Sequence, residues 1–296
     1  MIQHREGSTT RPGRIVILGG SGFVGRWLLE SLRPLQIETV PLSSTQLDLR
    51  APEAVAFLHR QLGSGDALVF CSALTPDKGR DSAALMNNLR MGYHVAAALE
   101  KSACRHVVYI SSDAVYEDSP NPVREDTPPA PSSLYALMHL TREKMLAAAL
   151  SKANIPLLVL RPCAIYGPGD THNSYGPNRF LRSARREGRI VLFGQGEEKR
   201  HHLFIRDFVA VIVECLSRGS HGIGTVAGAE AVTFADLAGT ICRLVQPVPR
   251  VESLPRQGGS ITHRHFDLTA YLKAFPHLPL TPLEQGLRRT LAEMTS

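Results

Sequence analysis

Short apolar runs alternate with amphipathic stretches through the first half of the chain. The runs are rich in β-branched side chains, which is typical of strands buried on both faces, and the stretches repeat apolar residues with helical periodicity. We predict strands at 14–18, 37–42, 67–70, 106–110 and 157–160, and helices at 23–32, 52–61, 83–100 and 134–153. This alternation predicts an α/β fold of Rossmann type, in which a doubly wound parallel sheet binds ligands at the carboxyl ends of its strands.

The pattern changes after Arg161, where proline, glycine, asparagine and tyrosine become frequent. Here we predict helices at 178–189, 207–216, 233–244 and 281–294, and strands at 190–193 and 222–226. Thr281-Pro282-x-Glu284 predicts a capping box at the start of the last helix. We expect a dinucleotide-binding domain over 12–162 and about 203–226, and a smaller α/β substrate lobe over 163–202 and 227–296.

A glycine-rich turn follows the first predicted strand and opens the first helix. Glycines at this point allow a tight turn, close approach of the backbone to a pyrophosphate, and close packing of helix on strand. The free N–H groups of the helix start then face the phosphates. The predicted phosphate contacts are Gly19, Ser21, Gly22, Phe23, Val24 and Gly25.

The spacing of Gly19, Gly22 and Gly25 resembles that of the extended short-chain dehydrogenase/reductase superfamily, the branch of nucleotide-sugar epimerases and dehydratases. The likeness extends over roughly residues 14–226. It includes Ser111-Ser112-Asp113 after a buried strand, Tyr135 early in a helix, the stretch RPCAIYGPG at 161–169, and the stretch GQGEEKRHHLFIRD at 194–207. These motifs are specific for the superfamily and not for a substrate.

The resemblance implies a reaction centre in which Tyr135 exchanges a proton with the substrate and Ser112 hydrogen-bonds the same oxygen. In the family a lysine four residues after the tyrosine holds the nicotinamide ribose and lowers the tyrosine pKa, but this chain has His139 there. Either His139 takes the role of the lysine, or catalysis has decayed and the fold binds without turnover. Asp113 matches the dehydratase acid, but Ala114 replaces the glutamate that follows it, which favours epimerisation or ketone reduction over dehydration.

The implied cofactor is NADP or NAD. The end of the second strand carries no acid for a ribose 2′-hydroxyl, and Ser43 and Ser44 favour NADP, while NAD stays open. Asp48 and Leu49, after a further short strand, match an adenine-contacting pair, although Asp48 could also cap the next helix. The other expected cofactor contacts are Ser72, Ala73, Ser111, Tyr135, His139, Pro162 and Ile165.

The resemblance also places a nucleotide sugar as the substrate. Arg200 matches an arginine that contacts its diphosphate, Asn88 matches an asparagine that supports the site, and Thr75 and Asn178 are expected near the substrate. No metal is expected, because His201-His202 and His263-Arg264-His265 lack the spacing of metal ligands.

The net charge of +6 and pI of about 9.2 invite a nucleic-acid interpretation. The chain has no recognisable reading element for nucleic acid. Arginines concentrate at 179–189 and 199–200, and we expect most of those at 179–189 on a solvated helix face, although their location suits a small polyanion such as a diphosphate. The five scattered cysteines favour reduced thiols and a cytoplasmic location, and no apolar run is long enough for a membrane helix. We expect residues 1–13 to be a disordered lead-in.

The family often forms a homodimer through two long helices of each subunit, which here would be 83–100 and 134–153. The apolar stripe of Val95, Leu99, Leu146 and Leu150 is compatible with that interface, but packing in the core explains it equally well.

Overall fold

A six-stranded, fully parallel sheet forms the centre of the molecule in a computed structural model that describes residues 1–5, 11–116, 121–173, 175–256, 258 and 260–294. Its strands are β1 (Arg14–Leu18), β2 (Glu38–Leu42), β3 (Asp66–Phe70), β4 (His106–Ile110), β5 (Leu157–Pro162) and, later in the chain, a strand at Gly222–Val226. The predicted Rossmann-type α/β class is confirmed.

The sheet is covered by helices on both faces. In chain order these are α1 (Phe23–Leu32), α2 (Glu53–Gln61), α3 (Ser82–Leu99), α4 (Leu134–Ala153) and, after β5, a helix at Ile205–Ser217. The helices α2, α3 and α4 pack together on one face, whereas α1 and the helix at Ile205–Ser217 pack on the other. Successive strand residues alternate between the two cores, so Ile15 and Ile17 face one, and Val16 and Leu18 the other. Burial on both faces explains the continuous apolar runs.

The strand order is β2-β1-β3-β4-β5 followed by Gly222–Val226. The chain leaves β1 toward one edge and returns to β3 on the other side of β1. Such a reversal opens a crevice beyond the carboxyl ends of the two strands, where ligands bind in open α/β sheets. The topology therefore places a binding cleft between the loops that follow β1 and β3.

Most of the later elements build the smaller lobe. In chain order the elements after β5 are β6 (Ala164–Tyr166), α5 (Pro177–Glu187), β7 (Arg189–Phe193), β8 (Lys199–Phe204), α6 (Ile205–Ser217), β9 (Gly222–Val226), β10 (Ala231–Thr233), α7 (Phe234–Leu244), β11 (Arg250–Leu254), α8 (Thr269–Ala274) and α9 (Leu283–Glu293). Of these, α6, which packs on α1, and β9, the sixth central strand, belong to the central sheet and its helical cover. The strands pair as β10-β8-β6 and as β11-β7. One apolar core runs from β1 and α1 into this lobe, and the domain boundaries near 163 and 203 stay predictions.

Two local expectations were wrong. No strand forms among residues 43–50, which make turns between β2 and α2. Thr281 does not cap α9, because its N–H and hydroxyl both donate to Asp207, at 2.7 Å each, and the helix begins at Leu283. A capping box does form at the start of α7, between Thr233 and Asp236.

The beginning of the chain is ordered where it is described. Gln3 exchanges two backbone hydrogen bonds of 2.9 Å with His221, just before β9. The ring of His4 bonds the hydroxyl of Ser220 and the carbonyl oxygen of Ala274. For residues 1–5, the expected disordered lead-in was therefore wrong.

The apolar stripe on the two long helices belongs to the core. Val95, Leu99, Leu146 and Leu150 are each at most 1% exposed. The apolar side chains that α3 and α4 leave exposed are Met86, Tyr93, Leu134 and Leu137. Of the two interpretations of the stripe, core packing is the one that the structure supports.

Candidate active site

The turn between β1 and α1 is shaped by close backbone approach. Gly19 has a φ of +91°, in the region that favours glycine. A Cβ atom on Gly25 would lie 2.3 Å from the carbonyl oxygen of Gly19, and one on Gly20 would lie 2.5 Å from the Cβ of Pro41. Both positions therefore exclude a larger residue, since helix, turn and strand meet there.

The start of α1 is open for an anion. Its N-cap is Gly22, no side chain bonds the first turn among the described residues, and that turn carries no acid. Ser21 and Gly22 are exposed at this point. Unpaired N–H groups at a helix start, together with the helix dipole, favour a phosphate.

A cleft of about 290 Å³ adjoins this turn. Its lining combines the glycine turn, the end of β2 and the loop after β3, and includes the predicted residues Gly19, Ser21, Gly22, Ser43, Ser44, Asp48, Leu49, Ser72 and Ala73. Apolar Leu42, Leu49 and Met91 lie beside these polar groups. An apolar slot next to an open helix start fits a dinucleotide, with its adenosine in the slot and its pyrophosphate on α1.

The adenosine side of the cleft carries cations that the sequence interpretation passed over. Arg50 and Lys78 line it. Arg50 pairs with Asp48 at 2.8 Å, and this pairing, led by the hydrogen bond, lowers the pKa of Asp48. Asp48 does not cap α2, whose N-cap is Pro52 without a side-chain bond. The hydroxyl of Ser43 donates to Gln46 at 2.8 Å.

The two serines after β4 have different surroundings. Ser111 donates to the carboxylate of Glu143 at 2.6 Å, and Glu143 forms a buried ion pair with Arg161, also at 2.6 Å. Ser112 is partly exposed, its hydroxyl donates to Asp113 at 3.4 Å, and it lies close enough to Tyr135 to lower the pKa of that phenol. The structure therefore brings Ser112 and Tyr135 together, while the Ser111 side chain belongs to a network that anchors α4 to β5.

Tyr135 keeps its proton in this environment. Burial raises its pKa to about 12, and the negative charges of Asp113 and Asp77 act in the same direction. The positive charge of Arg142 and the nearby hydroxyl of Ser112 act in the opposite direction. The phenol is thus a proton donor at neutral pH.

His139 lies against Tyr135 and is almost wholly buried. The two rings meet edge to face with centroids 4.7 Å apart. Nδ1 of His139 bonds the hydroxyl of Tyr109 at 2.8 Å, whereas the buried Nε2 has no partner among the described residues. Burial, and secondarily the charge of Arg142, hold the pKa of His139 well below its ordinary 6.5. The imidazole is therefore neutral.

Arg142 is a fully buried cation on the same helix. Its guanidinium donates to the carbonyl oxygens of Asn88 and Ser72, at 2.8 Å each, and to the side-chain oxygen of Asn88 at 3.1 Å. Among the described residues no carboxylate pairs with it. Asn88 also bonds both backbone groups of Leu74. These bonds connect α3 and α4 to the loop that lines the cleft.

On the substrate side, Asp113 meets two arginines. Its carboxylate lies 3.6 Å from Arg264, and each side chain of this pair is 17% exposed. Burial raises the pKa of Asp113, and the charges of Arg264 and Arg200 oppose that rise. Arg200 is held on β8 by the hydroxyl and carbonyl of Thr262. The structure thus brings Asp113 and Arg200 together from distant parts of the chain.

The remaining predicted residues line the entrance to the lobe. Pro162 ends β5 and Ile165 lies in β6. Asn178 is buried, and its amide bonds both backbone groups of Gly167, at 2.7 and 3.1 Å. Thr75 lies in the loop after β3, close enough to Asp77 to lower the pKa of that carboxyl. The binding roles of these residues stay predictions.

Sequence reasoning missed Tyr109, Arg142, Arg264, Arg50 and Lys78. Arg142 offered one signal, because it lies seven residues after Tyr135 and therefore on the same face of a helix. Nothing in the sequence indicated Arg264, because it lies far along the chain from Asp113 and their contact forms only in the fold. Of the arginines at 179–189, Arg185, Arg186 and Arg189 are exposed to solvent, as expected for most of the group, whereas Arg182 bonds the carbonyl oxygens of Asp170 and His172.

Other kinds of site find little support in the described residues. No group of three or more histidine, cysteine or acidic side chains there is arranged to hold a metal ion. No helix in the described segments has both the length and the apolar character needed to cross a bilayer. All five cysteines are free thiols.

The fold, the glycine turn and the Ser112–Tyr135 pair define an extended short-chain dehydrogenase/reductase. The sequence profile described as "NAD dependent epimerase/dehydratase family" matches residues 15–227. The chain belongs to this family.

Individual relatives are distant but nearly full-length. The chain is 24% identical to the dTDP-4-dehydro-6-deoxy-D-allose reductase of Streptomyces bikiniensis, over 94% of this chain and 95% of the relative. Its fold is similar to that of the UDP-glucose 4-epimerase of Thermus thermophilus in complex with NAD, with a TM-score of 0.83 and 19% identity over 95% and 98% of the two chains. It is also similar to RMD from Pseudomonas aeruginosa complexed with NADPH, with a TM-score of 0.81 and 23% identity over 96% and 99%.

Proposed function

We propose that this protein is an NAD(P)-dependent epimerase or keto-reductase acting on a nucleotide-activated sugar. The observation that carries the proposal is the proximity of the Ser112 hydroxyl to the phenol of Tyr135, whose pKa that hydroxyl lowers, beyond the carboxyl end of β4. Family membership supports it, because a similar reductase and a similar epimerase act on dTDP- and UDP-linked sugars by their names.

The chemistry divides between cofactor and side chains. When bound, a nicotinamide ring supplies the acceptor or donor of a hydride. Ser112 positions the sugar oxygen by a hydrogen bond, and Tyr135 gives that oxygen a proton or takes one from it. A tyrosine with a pKa of about 12 is protonated at neutral pH, so it has a proton to give and no phenolate with which to take one. This protonation state favours reduction of a ketone over oxidation of an alcohol as the direction of the first step.

The cofactor preference follows from the adenosine side of the cleft. The acid among its lining residues, Asp48, is paired with Arg50, and Lys78 adds a second cation. A 2′-phosphate adds negative charge where these groups lie, so NADP is the proposed cofactor. Because Arg50 already pairs with Asp48, the preference should be moderate, and NAD should also bind.

The substrate side is proposed to hold a sugar diphosphate. Arg200 and Arg264 converge on Asp113, and planar guanidinium groups match phosphate oxygens with paired donors. The same proposal gives Asp113 the task of holding Arg264 in place. Thr75 and Asn178 are proposed to border the sugar.

A homodimer is proposed as the assembled form. The exposed apolar side chains Met86 and Tyr93 on α3, and Leu134 and Leu137 on α4, lie on the helices that the family uses for dimerisation. Light scattering of the purified protein tests this, because Tyr93→Glu should shift a dimer to a monomer.

The main test is Tyr135→Phe. NADH and NADPH binding, followed by fluorescence, should be retained, since the variant keeps the ring against His139. Turnover of dTDP- or UDP-linked 4-keto sugars should fall by roughly 10²–10⁴-fold, the usual contribution of a positioned acid or base. Retained turnover in the variant would exclude the role given to Tyr135.

A second candidate is a dinucleotide-binding sensor or scaffold without turnover. Its specific support is the neutral His139 in place of a lysine, next to a tyrosine that keeps its proton. His139→Lys separates the two candidates. A large gain in rate would indicate decayed catalysis, whereas a loss would indicate that the histidine is adapted to its site.

A further inference from the structure

A row of buried polar side chains adjoins the helix face that carries Tyr135, and the replacement of the family lysine by histidine does not by itself account for it. The row begins at Arg142, continues to Tyr109 and ends at His139. The positive charge of Arg142 acts on the phenol of Tyr109, where it opposes the rise in pKa that burial causes. Tyr109 in turn bonds Nδ1 of His139 at 2.8 Å, and Nε2 of His139 is buried without a partner among the described residues. An unsatisfied ring nitrogen at the end of such a row, on the helix face that carries Tyr135, calls for a partner that the described residues do not supply.

The directions of these bonds follow from the donors available. A guanidinium has only donors, so Arg142 offers no acceptor for the phenolic proton of Tyr109. The single proton of the Tyr109 hydroxyl is then free to be donated to Nδ1. In the opposite arrangement, Nδ1–H would donate to Tyr109, leaving both the tyrosine proton and the Nε2 lone pair unpaired. The first arrangement leaves one orphan atom and the second leaves two, so His139 carries its proton on Nε2.

The charges lead to the same assignment. His139 and Arg142 lie within one helical turn on the same buried face, and two cations there would repel each other. A guanidinium keeps its proton at neutral pH. The positive charge of this face therefore resides on Arg142, which has no carboxylate partner among the described residues and whose field acts on Tyr135.

We propose that this chain divides the work of one lysine between two residues: His139 donates a neutral Nε2–H hydrogen bond to the nicotinamide ribose, and Arg142 supplies the fixed positive charge beside Tyr135. Tyr109 is a positioning residue, because it acts through His139 by fixing the tautomer. The inference rests on the proposed function, since it assumes that a dinucleotide occupies the cleft.

The surroundings of these groups are defined. His139 is faced by Tyr135 and Arg142 from α4 and by Tyr109 from β4. Tyr135 is faced in addition by Asp113 and Asp77, which oppose its ionisation. Asn88 and Ser72 hold Arg142 in place through their carbonyl oxygens.

The first test needs no variant of the site and no cofactor. The side-chain nitrogens of ¹⁵N-histidine-labelled full-length protein should show His139 protonated on Nε2 and not on Nδ1, with no titration near pH 6.5. Two histidines provide internal references: Nδ1 of His201 bonds the carbonyl oxygen of Gly228, and Nε2 of His106 bonds that of Ser220. They should show opposite tautomers, and His139→Gln identifies the third signal. A proton on Nδ1 of His139, or its titration near pH 6.5, would overturn the inference.

The second test addresses Tyr109. Tyr109→Phe keeps the ring and removes the donor, so His139 should lose its single tautomer and show a mixture. NADPH affinity should weaken by roughly three- to tenfold, the effect of one lost hydrogen bond. A purely structural role for Tyr109 would leave the His139 tautomer unchanged, and that result would exclude it as a positioning residue.

The third test separates charge from packing at Arg142. Arg142→Gln removes the charge, and the pKa of His139 should rise toward its ordinary value in the same spectra. Arg142→Lys keeps a cation and should keep the histidine neutral. Equal histidine pKa values in both variants would overturn the role of Arg142. If the glutamine variant does not fold, titration of His139 in the lysine variant at the ordinary pKa would have the same meaning.

The outcomes distinguish this inference from the proposed function. Binding of NADPH or NADH by the wild type together with an Nδ1–H tautomer would refute the division of roles and leave the function intact. Failure of the wild type to bind either dinucleotide would refute the function and, with it, the role of Nε2.

Discussion

Two regions meet at the proposed active site, one formed by backbone atoms and the other by side chains. The turn between β1 and α1 consists of backbone, with glycines where a Cβ atom would meet other backbone atoms. The inner face of α4 consists of side chains, with Tyr135, His139, Arg142 and Glu143 in nine successive residues. The turn keeps the family pattern, whereas the helix face departs from it at His139.

The difference has a physical cause. A backbone site has no substitute for a missing N–H group or for space, so the glycine positions are fixed by geometry. A side-chain site needs a charge and a donor at certain points in space, and more than one position on a helix reaches those points. Functions on the helix face can therefore move between residues while those on the turn cannot.

The largest expected effect tests how firmly the helix face is anchored. Glu143→Ala leaves Arg161 buried without its partner and also removes the acceptor of Ser111. Breaking a buried ion pair should lower the free energy of unfolding by about 3–5 kcal/mol, measured by urea denaturation. Glu100→Ala, at the exposed pair with Lys152, is the matched control and should have little effect. Similar losses in the two variants would contradict the anchoring role.

The next effect is a pH dependence that belongs to neither region. Burial lowers the pKa of His106 to about 4. Below pH 6.5 this histidine becomes protonated in the unfolded chain, whereas in the folded protein it stays neutral until about pH 4. The free energy of unfolding therefore decreases as the pH falls through this window. The loss should reach on the order of 2 kcal/mol between pH 6.5 and 5 for this residue.

Denaturation at both pH values measures this loss. His106→Gln should flatten the pH dependence by the share of that residue, and what remains includes that of His139. Parallel pH profiles for wild type and variant would show that His106 titrates alike in both states.

One added methyl group at Gly25 should disrupt the turn between β1 and α1. Gly25→Ala places a Cβ 2.3 Å from the oxygen of Gly19 and 2.7 Å from the Cα of Gly20. Overpacking of this kind should destabilise the fold by about 1–3 kcal/mol, and NADPH binding should be lost as α1 moves from the turn. Gly65→Ala is the control, because a Cβ there meets nothing within 4 Å. Full NADPH binding by Gly25→Ala would show that the turn is less constrained than its contacts indicate.

The smallest effect concerns the cations in the cleft. Arg50→Gln should weaken NADPH binding by roughly three- to tenfold and leave NADH binding unchanged, since a solvent-exposed charge pair contributes about 1 kcal/mol or less. Titration by fluorescence checks both affinities. Arg60→Gln, at an exposed residue of α2 outside the cleft lining, should change neither. Equal losses for both dinucleotides would remove Arg50 from 2′-phosphate recognition.

The central sheet was predictable because its strands are buried on both faces and therefore carry uninterrupted apolar runs. The strand β8 was not predicted. Its first four residues, Lys199-Arg200-His201-His202, are polar and mask the short apolar end of the strand, and its pairing with β6 and β10 is non-local. Ser112, Tyr135 and the replacement at His139 were found from motif spacing. The sequence could not show which of the two serines after β4 would face Tyr135, because only the fold places Ser111 against Glu143.

By itself the sequence predicted the Rossmann-type fold, the glycine turn proposed to bind phosphate and the tyrosine proposed as the acid, all of which depend on local periodicity or on short fixed spacings. The tertiary structure decided which side chains surround that tyrosine. Tyr109 arrives from β4 and Asp77 from the loop after β3, while Asp113 is paired with Arg264 from late in the chain. Charge and hydrogen bonding act through space, so their sources become visible only when the folded chain brings distant residues together.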